Sequence, residues 1–392
     1  MTIRRLMAVA AIACLSVGAL LVPMHEDPEP AFTVGSGTTN LRAAAAKAAA
    51  KAAPKAAPNR PATSARPGAT ASARAIGMDV GPASSPLSDL RLVNYYPAHH
   101  GWGHMWTQWD PPAIQHDFGQ IAAMGANGVR LIVQPAQFGF PDPSAMMLAR
   151  LTTAVRLAGE QGLRVQLTLF DLAWPYNQLA ASARWAAAVL APFRSDPRIA
   201  FIELQNEMDA RNPSAMAWAR ALIPFIRSYA QRPVAVSSFA YGAYGIRGFA
   251  DLVAALSSAR PDIFSFHFYG DPSDAKAVFA WAKKLAAPSQ LYIGEAGLPT
   301  GSTQTGPIIA VKERAQMRFF AYVEKATVEL GLPPAAPWTW SDFAPGTLNA
   351  SSPGAEYRFG LVRLDGSKKP AYGFLRTFFH WLAAHQTSQA AA

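Results

Sequence analysis

Two glutamates in this chain close apolar runs of the same kind. Glu207 ends "IAFIELQNE" (199–207), and Glu295 comes one residue before the end of "QLYIGEA" (290–296). A carboxylate at the end of a buried strand is costly unless a partner or a function retains it. Two of them aimed into one mouth could divide a reaction. One would protonate a leaving oxygen while the other attacks or stabilises an anomeric carbon, as cleavage of a glycosidic bond requires. Arg130 in "GVRLIVQP" (128–135) and Tyr269 in "FHFYG" (266–270) offer a cation and a phenol donor. Together they would keep Glu295 ionised and suit it to be the nucleophile. Glu207, beside a second negative charge, would hold its proton to higher pH and act first as acid, then as base. Asn206 could hold a sugar 2-hydroxyl, a contact that strengthens in the transition state. Glu203 lies deeper in the same run and reads as a structural acid inside a sheet.

Those roles need both strand ends on one rim. Strand-like runs occur at 90–97, 128–135, 164–171, 199–207, 233–239, 262–270, 290–296 and 336–343, with longer amphipathic helix-like stretches between them. Eight such units predict a parallel sheet covered by helices and closed into a (β/α)8 barrel, the TIM barrel. An open doubly wound sheet is the alternative, but no glycine-rich phosphate fingerprint follows the first run. In a barrel the C-terminal strand ends face the site, and strands four and seven lie on opposite sides of the same mouth. The polar strand ends run from Asn94 through Asp171, Asn206, Glu207, His267 and Tyr269 to Glu295, Trp338 and Trp340.

These residues carry a resemblance. "LQNE", "FHFYG", "IGEAG", "PWTWSDF" and the closing "FGLVRLDGSKKPAY" together resemble clan A of the glycoside hydrolases, closest to family 5, over about residues 90–385. The resemblance implies a retaining β-glycosidase working without cofactor or metal. Asn206 and Glu207 match its Asn–acid/base pair, Glu295 its nucleophile, and Arg130 and Tyr269 the supports of that nucleophile. His267 would bind or orient sugar, and Trp338 or Trp340 would be the platform under the ring being cleaved. One position departs: many family 5 enzymes carry a histidine at the end of strand three, where this chain has Phe170 and Asp171.

The loops add saccharide-like features. "HHGWGH" places His99, His100 and His104 after the first strand, where imidazoles could hydrogen-bond sugar; no carboxylate pattern completes a zinc site there. Trp102, Trp106, Trp109, Trp174, Tyr176, Tyr241 and Tyr244 all follow strand ends. Flat rings spread over several loops predict a cleft with several subsites and endo action on a β-linked polysaccharide. Two other readings use the same site: a non-catalytic saccharide-binding barrel of the cell surface, and a transglycosylase.

The rest of the chain sets location. Arg4 and Arg5 precede an uncharged apolar run at residues 6–22, which reads as a signal peptide or a membrane anchor (1–23), with the remainder exported to the periplasm or beyond. Residues 24–88 are low-complexity Ala/Lys/Pro, a disordered tether ahead of a catalytic domain at 89–392. The formal charge is +10, about half of it in the signal and tether, and no nucleic-acid reading module is recognisable. Cys14 is the only cysteine, so the domain can have no internal disulfide. A monomer is expected.

Overall fold

The computed structural model describes residues 86–390, apart from 172–173, 239–241, 302–306 and 349–353. The signal or anchor segment, the tether up to residue 85, and Tyr241 lie outside the described residues, and so does the side chain of Tyr244. No helix among the described residues is long and apolar enough to cross a membrane.

Strands and helices alternate as β1 (Leu92–Asn94), α1 (Pro111–Ala123), β2 (Gly128–Ile132), α2 (Ala145–Glu160), β3 (Arg164–Phe170), α3 (Leu179–Leu190), β4 (Ile199–Gln205) and α4 (Pro213–Ala230). Then come β5 (Val234–Ser237), α5 (Gly242–Ala255), β6 (Ile263–Phe268), α6 (Ala275–Ala286), β7 (Gln290–Ala296), α7 (Pro307–Glu329) and α8 (Pro370–Ala390). Helix starts follow local chemistry. Asp110 accepts from Ala113 N–H ahead of Pro111, Ser144 from Met147 N–H, and Asn212 from Ser214 and Ala215 N–H ahead of Pro213. These caps satisfy donors that a helix leaves open, and proline at the first position gives up an N–H that has no partner there.

The seven strands pair in parallel in chain order, and their residues are almost all buried. That is the burial expected of a parallel sheet with helices outside and a filled interior. The eighth run forms no ladder of its own, because Pro337 has no N–H to give. Instead it bridges the two edges. Ala336 and Trp338 donate to Ile293 and Ala296 of β7, while Asn94 of β1 donates to Pro337 and accepts from Trp340. Seven parallel strands thus make a nearly closed barrel with this seam along its open side, consistent with the (β/α)8 arrangement.

The barrel interior is layered. Leu87, Leu90, Leu92, Phe201, Ile263 and Tyr292 form an apolar floor. Leu87, which the sequence reading assigned to the stretch ahead of the domain, packs into this floor. Above the floor the interior turns polar, with Arg130, Gln166, Thr168, Glu203, Ser265 and His267 all buried.

β7 departs from simple alternation. Ser265 pairs with Tyr292 but His267 pairs with Glu295, so β7 carries one extra residue opposite β6. Such a bulge re-aims the residues beyond it, and without it Tyr292 and Glu295 could not both point inward. Gly294 is the residue that makes room: a Cβ there would stand 2.0 Å from Ser265 Oγ. Gly294→Ala should therefore displace the Ser265 wall and Glu295 with it, costing about 1–3 kcal/mol of stability as overpacked cores do. Urea midpoints of the two proteins check this; an unchanged midpoint would mean that β6 yields freely.

Glu324, on α7, is 1% exposed and accepts from Thr327 Oγ1 at 3.0 Å and Ala335 N–H at 3.3 Å. Burial pushes it up to about 8 from an ordinary 4.5. The folded chain then holds a proton that the unfolded chain releases, so stability falls as pH rises from about 4.5 to 8, by about 1.4 kcal/mol per unit. Between pH 5.5 and 7.5 the wild type should lose about 3 kcal/mol from this group, and Glu324→Gln should lose none of it. Unfolding curves at the two pH values separate the cases; parallel slopes would remove Glu324 as the source.

Candidate active site

The site begins where β4 ends. After Gln205 the chain turns out of the sheet: Asn206 N–H donates to Phe170 carbonyl, Glu207 N–H to Ser237 Oγ at 2.9 Å, and Met208 N–H to Ser237 carbonyl. Glu207 has φ 50°, in the left-handed region that costs a non-glycine residue about 1–2 kcal/mol. The local strain is held by Ser237 on the next strand, and it turns the Glu207 carboxylate inward.

The carboxylate meets a histidine. His267 Nδ1 lies 3.0 Å from Glu207 Oε1 and 3.3 Å from Glu295 Oε2, so one imidazole touches both acids. One oxygen of each glutamate and the imidazole nitrogen all fall within 4.8 Å of one another. Tyr269 O–H donates to Glu295 Oε2 at 2.5 Å, and Arg130 donates to Glu295 Oε1. Among the described residues this trio alone has the spacing of metal ligands. Its atoms are already engaged with one another and with Arg130 and Tyr269, an arrangement suited to moving protons.

Arg130 is the hub. Its guanidinium is 1% exposed and bonds Glu203 Oε2, Thr168 Oγ1, Asn94 Oδ1, Asn206 Oδ1 and Glu295 Oε1, a planar fork whose donors are all used. Burial disfavours its charge, but Glu203 and Glu295 outweigh that and raise its pKa. Burial likewise opposes ionisation of Glu203, yet Arg130 brings its pKa below the usual range. Asn94 carries the order to β7 and to the seam, with Nδ2 donating to Gly294 carbonyl at 2.9 Å and to Pro337 carbonyl at 3.2 Å.

The acids differ in environment. Glu207 is raised, chiefly by burial, with the negative charge of Glu295 a smaller contribution. Desolvation thus does most of what the sequence argument assigned to charge repulsion. Burial pulls the His267 pKa down, but Glu295 and Glu207 prevail and raise it overall. Asp171, after β3, is raised by burial as well.

With the geometry in hand, the comparisons place the chain. The family model described as Cellulase (glycosyl hydrolase family 5) matches residues 93–342. The chain belongs to glycosyl hydrolase family 5. No curated protein matches it. Among solved structures it is similar to the exo-beta-1,4-mannosidase Op5Man5 from Opitutaceae bacterium strain TAV5, at 21% identity and a TM-score of 0.60. That match covers 75% of this chain and 59% of the mannosidase, so this chain spans less than two thirds of that enzyme's length. It is also similar to a GH5_18 variant from Streptomyces cattleya in complex with Manβ1-4GlcNAc, at 18% identity, TM-score 0.61, and coverage of 74% and 80% of the two chains. A GH5_18 structure from Bifidobacterium longum subsp. longum is similar at 18% identity and TM-score 0.60, covering 76% and 80%. At these identities the likeness speaks for the fold.

In this family 5 barrel the predicted residues fall into two groups. Glu207, Glu295, Arg130, Asn206, His267 and Tyr269 converge as described. Trp338 stands near them, 6% exposed, edge-on to Trp102 at 5.6 Å and Tyr96 at 6.2 Å. Trp340 does not: its indole N–H donates to Asp117 and its ring packs against Tyr372, on the outer side of the seam. Residues two apart on an extended segment share a side, but the seam is too irregular to keep that rule. His99 and His100 also lie elsewhere. With Trp340, Asp117 and Lys368 they line a separate cavity of about 260 Å³, and His100 bonds Gln108 while His104 bonds Thr347 carbonyl. Trp174 is engaged in packing, with its N–H on Ser182 and its ring against Phe140 and Phe170.

Two neighbours of the site were given no role by the sequence. Asp171 was visible as a polar strand end and as a departure, and here it accepts from Asn206 and Gln134. Glu356, in the turn Gly354–Arg358, accepts from the Trp338 indole, and burial, then the charge of Glu295, pushes it up to about 7. Nothing in its local sequence marks it, because Trp338 and Glu295, which surround it here, come from distant parts of the chain.

Proposed function

We propose that this family 5 chain is a retaining β-glycosidase in which Glu295 is the nucleophile and Glu207 the acid and base. The observation that carries the reading is the separation of the two carboxylates, with one oxygen of each within 4.8 Å. Retaining enzymes hold their carboxyl groups at about 5–5.5 Å, whereas inverting ones need about 6.5–9.5 Å to admit a water. In the first step an oxygen of Glu295 attacks the anomeric carbon while Glu207 gives its proton to the departing glycosidic oxygen. Arg130 and Tyr269 hold the Glu295 charge in place for attack. Once the ester forms, that charge is gone, and its smaller share in raising Glu207 goes with it. Glu207 then takes a proton from water, which displaces the sugar with retained configuration.

The rim favours a short substrate or a chain end. Trp106 is buried with its N–H on Ile132 carbonyl, Trp174 packs under its loop, and Tyr176 accepts from Gln205 and stands edge-on to Trp218. Fewer rings therefore remain to floor an extended cleft than the sequence suggested, and endo action loses its main support. The similar mannosidase and the disaccharide-bound GH5_18 structure make β-mannosides the first substrates to try. We place the enzyme outside the cytoplasm, with residues 6–22 as its signal or anchor.

The test uses the full chain against aryl β-mannosides, aryl β-glucosides, β-linked oligosaccharides and polymers, with product anomers and lengths followed by NMR and chromatography. Release of the β-anomer first, one sugar unit at a time, is the expected result. Release of the α-anomer would overturn retention, a ladder of long products would restore endo action, and binding without cleavage would favour a saccharide-binding barrel.

A further inference from the structure

Asp171 follows directly on β3 at the site mouth. Its Oδ2 accepts from Gln134 Nε2 at 2.9 Å and its Oδ1 from Asn206 Nδ2 at 3.0 Å. On the other side of that amide, Asn206 Oδ1 accepts from Arg130 at 2.7 Å. An amide has one accepting end and one end with two N–H groups. A guanidinium, which cannot accept, faces one end, and a carboxylate, which offers acceptors, faces the other. Only one orientation of Asn206 satisfies both, and in it one N–H of Nδ2 is held by Asp171 while the second is left to point away from that bond.

We propose that Asp171 is a positioning residue that fixes the Asn206 amide so that its second N–H meets the 2-hydroxyl of the sugar being cleaved. This rests on the retaining-glycosidase reading above. The contact to that hydroxyl strengthens as the oxocarbenium-like transition state forms, so its loss falls on kcat. Without the Asp171 acceptor, the amide keeps only its Arg130 bond and can swing about it. The carboxylate does for Asn206 what a second partner does for any working side chain: it removes the rotamers that do not react. The structure also says what a milder change would do. Gln134 Oε1 is buried without a partner among the described residues, so Gln134 can turn to accept from an asparagine at 171 while that asparagine's carbonyl still receives Asn206.

The experiment is a double-mutant cycle on an aryl β-glycoside and its 2-deoxy analogue. Asp171→Leu should lower kcat by about 10- to 100-fold with KM within about 3-fold, while Asp171→Asn loses about 3- to 10-fold. Both losses should shrink to about 2-fold or less on the 2-deoxy substrate and in an Asn206→Ala background. Equal losses in that background, losses that persist on the 2-deoxy substrate, or a rise in KM with kcat intact would each overturn the proposal. Should the leucine variant fail to fold, the asparagine variant decides alone, and an unchanged kcat rejects the inference. Failure of the underlying reading looks different: the wild type then cleaves neither substrate or releases the α-anomer.

Discussion

Glu295→Gln is expected to fold like the wild type and to lose at least about a thousand-fold in kcat/KM. The amide fills the volume of the carboxylate and keeps an oxygen for Tyr269, but it cannot attack an anomeric carbon. Glu207→Ala should behave differently. With a poor leaving group it should lose about 10²–10⁴-fold, the range that general acid catalysis contributes. With a leaving group that departs unprotonated, the first step survives and the second stalls for want of a base. A glycosyl-enzyme should then accumulate, visible as added mass on the peptide holding Glu295, and azide should restore turnover by supplying a nucleophile that needs no deprotonation. A Glu295→Gln protein retaining more than a few per cent of activity would sink the assignment, as would an adduct on any other residue.

The second large effect is on folding. Arg130 is the cation that compensates Glu203, which is 0% exposed and sits in the middle of the barrel. Arg130→Met leaves that carboxylate buried without its charge partner, a change that costs about 3–5 kcal/mol. Urea denaturation should show the loss directly. Adding Glu203→Gln should return part of it, since an apolar side chain beside a neutral amide avoids the stranded charge. A variant as stable as the wild type would mean that Glu203 finds its compensation in Thr168 and Gln166, which also donate to it. Activity should not return in the double variant, because Glu295 and Asn206 also lose their bonds to the guanidinium.

The sequence carried the frame well and its details unevenly. Alternating strand and helix patterns located seven strands within a few residues, because each is a buried run bounded by caps and turns. Glu207 and Glu295 were legible because a carboxylate closing such a run stands out against apolar neighbours. Their spacing was not. It depends on the extra residue in β7 and on the left-handed backbone of Glu207, neither of which has a local signature beyond Gly294. Strict alternation would have turned Tyr292 and Gly294 inward and Glu295 out. Trp338 and Trp340 illustrate the same limit, since two residues apart they point to different sides of an irregular seam. Trp174, His99 and His100 show another: a loop aromatic or imidazole looks the same in sequence whether it joins the cluster around Glu295 or lies apart from it. Glu356 lies beside Trp338 and Glu295 without any periodic pattern in its own sequence to announce it.

The seam also sets a timetable. A chain is made from its N-terminus, and both glutamates emerge before residues 336–340 do. Until then Asn94 lacks the bonds that the seam supplies: Pro337 carbonyl for its N–H, Trp340 N–H and Thr339 Oγ1 for its carbonyl. Asn94 in turn touches Arg130 and Gly294, so the cluster around Glu295 is unfinished while the cylinder stands open. The nascent chain therefore carries both acids before their setting is complete, and the last segment of the barrel to be synthesised is the one that completes it.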